Sequence, residues 1–179
     1  VSVDDRRVGI DAQQAIRDEG LRLLVFDDHG QLERCAADLV LDQNAGAATF
    51  DRGGFDQRIG RRYALLRRRV RHAPLHVPAG SGSAGVVILL GGWPSLQTRS
   101  FAVDVSSRLA QAGAKVQIIS GGADIAAVHD DVVVRRIIGD PTEVLAASAV
   151  AISTAGSTSW ELCRVGMPSV LVAVADDQL

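Results

Sequence analysis

Short apolar runs alternate with helix-like segments along most of this chain, and this alternation limits the fold more than any other feature. In the second half, the apolar runs cover 86–90, 115–119, 132–134, 150–153 and 169–172, and the helix-like segments cover 96–112, 142–147 and 159–165. Runs that are apolar at nearly every position are typical of strands buried on both faces. The pattern therefore predicts parallel β-sheets covered by helices, which is an α/β fold.

The first half repeats this pattern less regularly. It contains strand-like runs at 1–4, 22–26 and 38–41, a helix-like segment at 10–20, and an irregular Gly- and Arg-rich stretch at 45–72. Residues 74–85 include two prolines, three glycines and two serines with no apolar periodicity, which is typical of a linker. We predict a partial first domain at 1–73, a linker at 74–85 and a second domain at 86–179. We also expect further residues beyond both ends of the chain.

Composition narrows the classes of function. The chain of 179 residues is 47% hydrophobic with a formal net charge of −2, so it carries no general attraction for nucleic acid or an acidic membrane surface. Its two cysteines form no disulfide framework and favour a reducing, cytoplasmic compartment. No apolar run reaches the roughly 18 residues that a membrane span needs. We expect no nucleic-acid partner, no membrane span and no cofactor.

The segment 153–161, read Ser-Thr-Ala-Gly-Ser-Thr-Ser-Trp-Glu, follows a predicted strand and opens a predicted helix. Small residues let a ligand approach the backbone, and a helix start offers N–H groups and a positive dipole end to a phosphate. Gly156, Ser157 and Thr158 are the phosphate candidates, and Glu161 is the candidate for the ribose hydroxyls. The alternatives are an ordinary strand-to-helix turn and a capping box that joins Thr158 to Glu161.

Other candidates follow neighbouring strands, where ligands bind in parallel sheets. Gly91 and Gly92 either allow a nucleotide or sugar to approach or form a tight turn. Asn44, after the strand at 38–41, is a sugar-binding candidate or a loop cap. Asp176 and Gln178, after the last strand, are candidates for sugar hydroxyls. The turn at 121–122 is interpreted as a turn only, and the basic run 61–71 as a solvated face or a phosphate contact.

Asp28 and His29 are the candidates for catalysis, although the catalytic group is otherwise unknown. A carboxylate beside an imidazole can act as a general base. The alternative is a polar strand end that makes turn hydrogen bonds. No second cluster has the spacing of metal ligands, so no metal is expected.

Five segments in order resemble a family of bacterial nucleotide-sugar hydrolases. They are 24–28 (Leu-Val-Phe-Asp-Asp), 38–44 (Asp-Leu-Val-Leu-Asp-Gln-Asn), 62–67 (Arg-Tyr-Ala-Leu-Leu-Arg), 89–92 (Leu-Leu-Gly-Gly) and 152–178. This family is UDP-2,4-diacetamido-2,4,6-trideoxy-β-L-altropyranose hydrolase of pseudaminic acid biosynthesis, with relatives named for spore-coat polysaccharide synthesis.

The resemblance implies two Rossmann-like domains of the GT-B type, as in glycosyltransferases, with the first domain incomplete in this chain. It implies that the second domain binds UDP, that the first domain supplies the sugar pocket, and that water attacks the anomeric carbon to release UDP. A glycosyltransferase and a non-catalytic binding module are the alternatives. The family's catalytic His lies in a Gly-Xaa-Gly-His segment that this chain lacks, and Asp177 stands where the family usually has Asn.

Overall fold

The computed structural model describes residues 1–3, 8–27, 35–47, 56–77, 85–92, 94–122, 124–127, 129–136, 140–174 and 178. The chain divides into two compact units, which we call the first unit (Val1–Leu65) and the second unit (Leu66–Leu179).

The first unit contains a parallel sheet of four strands in chain order. These are β1 (Ser2–Val3), β2 (Leu24–Phe26), β3 (Leu39–Asp42) and β4 (Gln57–Ile59), with helix α1 (Ile10–Asp18) between β1 and β2. Leu23, Val25 and Val40 are buried. The buried side chain of α1 is Gln13, whose Oε1 accepts hydrogen bonds from the Ala36 N–H and the Cys35 thiol. These bonds satisfy a polar group that burial would otherwise make costly.

The second unit contains a parallel sheet of five strands. Its elements in chain order are α2 (Arg68–His72), β5 (Gly85–Leu89), α3 (Leu96–Gln111), β6 (Val116–Ser120), β7 (Val132–Arg136), α4 (Thr142–Ala146), β8 (Ser148–Thr154), α5 (Thr158–Val165) and β9 (Ser169–Val172). The strand order is β7-β6-β5-β8-β9. Strands β6 and β7 therefore lie on one side of β5, and β8 and β9, which come later in the chain, lie on its other side. In open α/β sheets the ligand-binding crevice lies at such a reversal of strand order, which here falls between the carboxyl ends of β5 and β8.

Two apolar clusters cover the two faces of this sheet. Every residue of β5 is buried, because successive side chains point to opposite faces of the sheet and an apolar cluster covers each face. Val87 and Leu89 lie in one cluster with Leu162 of α5, whereas Val86 and Ile88 lie in the other with Ala102 of α3. The central strand β5 is thus buried on both faces, as predicted, whereas the edge strands β7 and β9 are largely exposed.

The division between the units falls before the predicted linker. Val70 of α2 and Ala73 are buried in the same cluster as Leu162, and the His76 N–H donates to the Val165 carbonyl oxygen at 2.6 Å. Residues 66–73 therefore pack with the second unit rather than with the first, where the sequence pattern had assigned them.

The stretch 45–72 is more regular than predicted. It contains β4, a 3-10 turn at Arg61–Tyr63 and α2. The three residues of β4 are all half-buried, so they show no alternation, and α2 buries only Val70. Elsewhere the predicted elements agree with the structure to within two residues at each end. No helix in the described part of the chain is long and apolar enough to cross a membrane.

Candidate functional site

The candidate site lies at the crevice between β5 and β8. The two strands pair in parallel, with Leu89 opposite Ser153, so their following loops leave the sheet side by side. The loop after β5 runs from the buried Leu90 to Gly91 and Gly92, which are both exposed. The loop after β8 leads through Gly156 into α5. The structure thus brings together two of the segments that the sequence had identified separately.

Glycine is required at Gly91 because its φ of 74° lies in the left-handed region. Gly121 is required for a different reason. A Cβ atom on Gly121 would lie 2.8 Å from the Gly92 Cα and 3.1 Å from the Gly91 carbonyl oxygen, and the Gly121 N–H donates to that oxygen at 3.2 Å. The turn after β6 therefore supports the loop after β5, a role that the sequence did not indicate.

Helix α5 begins at Thr158 without a side-chain cap. The Ser159 N–H donates to the Gly156 carbonyl oxygen at 2.9 Å, which is the first hydrogen bond at the start of the helix. The N–H groups of Ser157 and Thr158 lie before this bond. The Gly156 N–H, by contrast, donates to the Thr154 carbonyl oxygen at 2.8 Å. The backbone donors directed beyond the helix start are thus those of Ser157 and Thr158.

The capping box considered for α5 does not form. Ser157 occupies the N-cap position, and the Glu161 carboxylate is engaged elsewhere. Glu161 is 3% exposed, and its oxygens accept three hydrogen bonds from Arg67. Arg67 Nε donates to Oε1 at 2.7 Å, Arg67 Nη2 to Oε2 at 2.6 Å, and the Arg67 backbone N–H to Oε1 at 3.3 Å. A carboxylate at this depth needs such a partner.

Some residues of the basic run 61–71 make specific contacts, so the run is not only a solvated face. Besides Arg67, Arg69 lies 3.3 Å from an Asp140 carboxylate oxygen, and the Arg71 carbonyl oxygen accepts a hydrogen bond from Arg164 of α5 at 2.7 Å. Hydrogen bonds from Thr142 to Asp140 are the main cause that lowers the pKa of Asp140, and Arg69 lowers it further. Three positions of the run, all within the second unit, thus hold residues 67–71 against the rest of that unit.

Of the sugar-binding candidates, two are described. Asn44 follows β3 in the first unit, where its N–H donates to Asp42 Oδ1 at 2.9 Å, and the neighbouring Gln43 accepts from the Leu65 N–H at 3.0 Å. Gln178 Oε1 accepts a hydrogen bond from the Val174 N–H at 2.9 Å. Asp176 lies outside the described residues, as do the catalytic candidates Asp28 and His29.

Comparison with known proteins supports the fold at low sequence similarity. No family model matches the sequence, and no curated protein gives a significant match. Among solved structures, MurG of Acinetobacter baumannii aligns with a TM-score of 0.55 and 16% identity over 99% of this chain and 54% of its own. The glycosyltransferase SnogD from Streptomyces nogalater aligns with a TM-score of 0.52 and 14% identity over 96% of this chain and 61% of its own.

These similarities confirm the predicted fold class, α/β with Rossmann-like units of the GT-B glycosyltransferase type. The chain spans a little more than half the length of each of these two proteins. They support a glycosyltransferase-like fold, and they give no specific support to the hydrolase family that the sequence motifs resemble.

Proposed function

We propose that the second unit binds the nucleoside diphosphate of a UDP-sugar and that the protein acts as a glycosyltransferase on that donor. The observation that carries this proposal is the pairing of an exposed Gly91-Gly92 loop with the uncapped start of α5 at the crevice of the sheet. Crevices at this position bind ligands in open α/β sheets. The GT-B-type fold, shared with the glycosyltransferase SnogD, supports transfer as the reaction.

In this proposal the phosphates lie at the start of α5. The N–H groups of Ser157 and Thr158 donate to phosphate oxygens, and the positive end of the helix offsets the negative charge that grows on UDP as it leaves. Gly91, Gly92 and Gly156 carry no side chain, so the diphosphate reaches the backbone there. Glu161 accepts from the ribose, while Asn44, Asp176 and Gln178 are the candidates for the sugar hydroxyls.

Hydrolysis is the second candidate reaction, because five segments of the sequence resemble a nucleotide-sugar hydrolase family. Both reactions need the same donor pocket, and they differ in whether water or an acceptor hydroxyl attacks the anomeric carbon. Asp28 and His29 are the proposed candidates for the base that takes the proton. A comparison of UDP release from UDP-sugars with and without added acceptors separates the two reactions.

The test of the nucleotide site compares two substitutions at one position. Ser157 has φ near −57°, which suits proline, so Ser157→Pro removes a backbone donor with little strain at that residue. Ser157→Ala keeps the donor and removes only the hydroxyl. We expect UDP binding, measured by calorimetry, to weaken about ten-fold in Ser157→Pro, or about 1.4 kcal/mol, and much less in Ser157→Ala.

ADP serves as the competing nucleotide, and circular dichroism shows whether each variant is folded. Equal losses in the two variants would assign the contact to the hydroxyl and not to the backbone. A folded protein that binds no UDP would contradict the proposed function, because the loop and helix start would then be structural features alone.

A further inference from the structure

Arg67 is held in a fixed position beside α5. It directly precedes α2, where Val70 is fully buried in the core of the second unit. Two further contacts attach the same segment to α5, from Arg164 to the Arg71 carbonyl oxygen and from the His76 N–H to the Val165 carbonyl oxygen. The Arg67 guanidinium therefore reaches Glu161 from a backbone that packing has already placed.

The geometry of this contact fixes the plane of the Glu161 carboxylate. A free glutamate side chain samples several rotamers, whereas two parallel hydrogen bonds from one guanidinium allow a single orientation. Oε1 accepts from both Arg67 Nε and the Arg67 backbone N–H, and Oε2 accepts from Arg67 Nη2. A carboxylate oxygen has two lone pairs, so Oε2 retains the capacity to accept one more hydrogen bond.

We propose that Arg67 is a positioning residue that orients Glu161 so that Oε2 accepts a hydrogen bond from a ribose hydroxyl of the bound nucleotide. This inference rests on the proposed function, because it needs UDP at the start of α5. Arg67 acts through Glu161 and not on the nucleotide. Its contribution is to the recognition of ribose, whereas the N–H groups of Ser157 and Thr158 recognise the phosphates.

The experiment measures how well the protein distinguishes UDP from its 2′-deoxy and 3′-deoxy analogues. We expect the unaltered chain to prefer UDP over at least one analogue by about ten-fold, the range for a hydrogen bond to a charged group. In Arg67→Gln the preference falls to about two-fold or less, as it does in Glu161→Gln. The double variant is no worse than either single variant, because both changes remove one interaction.

Arg67→Lys and Arg68→Gln complete the set. Lysine keeps the charge but not the two-pronged geometry, so Arg67→Lys shows an intermediate preference. If Arg67→Gln does not fold, Arg67→Lys decides the question in its place. Arg68 is exposed at the neighbouring position, and Arg68→Gln keeps the full preference.

The outcomes separate this inference from the proposed function. A chain that binds UDP but shows no preference over either analogue overturns the inference and leaves the proposed function standing. The same holds if folded Arg67→Gln, or Arg67→Lys where it replaces that variant, keeps the full preference, since Arg67 would then serve stability alone. If the unaltered chain binds no UDP, the proposed function is wrong and the inference is wrong with it.

Discussion

A single methyl group at position 121 would disturb the loop after β5. The nearest atoms to a Cβ at Gly121 belong to the backbone of Gly91 and Gly92, and backbone moves less readily than the end of a side chain. The sequence alone predicts only a turn at this position. A glycine that is needed because another backbone segment passes close to it cannot be distinguished in the sequence from other glycines.

We expect Gly121→Ala to destabilise the protein by about 1–3 kcal/mol, the usual cost of forcing extra volume into a packed site. Urea unfolding measures this change. Gly92→Ala is the matched control, because a Cβ there meets no atom within 4 Å and its φ is not left-handed. Equal stability of the two variants would show that the loop after β5 moves aside without cost.

At the scale of elements, caps and buried faces determine where the helices begin and end. Ser95 caps α3, and its Oγ accepts from the Thr98 N–H at 3.1 Å. Gly166, with φ of 71°, ends α5 in the left-handed conformation. The predicted ends of both helices are accurate because such residues act locally.

We expect Ser95→Ala to destabilise the second unit by about 0.5–2 kcal/mol, because the Thr98 N–H loses its acceptor. Ser95→Asp restores an acceptor of similar reach and recovers most of the loss. Thermal unfolding followed by circular dichroism compares the two variants. An alanine variant as stable as the unaltered chain would show that water replaces the Ser95 hydroxyl fully.

Elements without a local signal were not predictable from the sequence. β4 and α2 contain five arginines and histidines among eight residues, and their positions depend on contacts with distant parts of the chain. The same limit applies to the site. The segment 153–161 was identified from local pattern, whereas the contact between Arg67 and Glu161 spans 94 residues and has no sequence signature.

At the scale of the whole molecule, the second unit includes the segment that leads into it. Val70 and Ala73 contribute to its core, and Arg67 neutralises its buried Glu161. A fragment that begins at the predicted domain start, 86, therefore leaves an apolar surface uncovered and a buried carboxylate without its partner. Each of these changes is destabilising.

We expect residues 66–179 expressed alone to be more stable than residues 86–179 by about 3 kcal/mol or more, given the usual cost of leaving a buried charge unpaired. Urea unfolding of the two fragments measures the difference. Glu161→Gln in the shorter fragment is the control, and it recovers part of the loss. Fragments of equal stability would contradict the assignment of 66–73 to the second unit.

The contact between Arg67 and Glu161 also restricts how this protein changes over evolutionary time. A mutation of the arginine alone leaves a buried negative charge without this partner, whereas a mutation of the glutamate alone removes one acceptor from an arginine that solvent already reaches. Loss of the arginine is therefore the more harmful single step, while a joint change to a neutral pair is tolerated more easily. Positions 67 and 161, which lie 94 residues apart, are therefore expected to covary, and relatives that lack the arginine are expected to lack the glutamate as well.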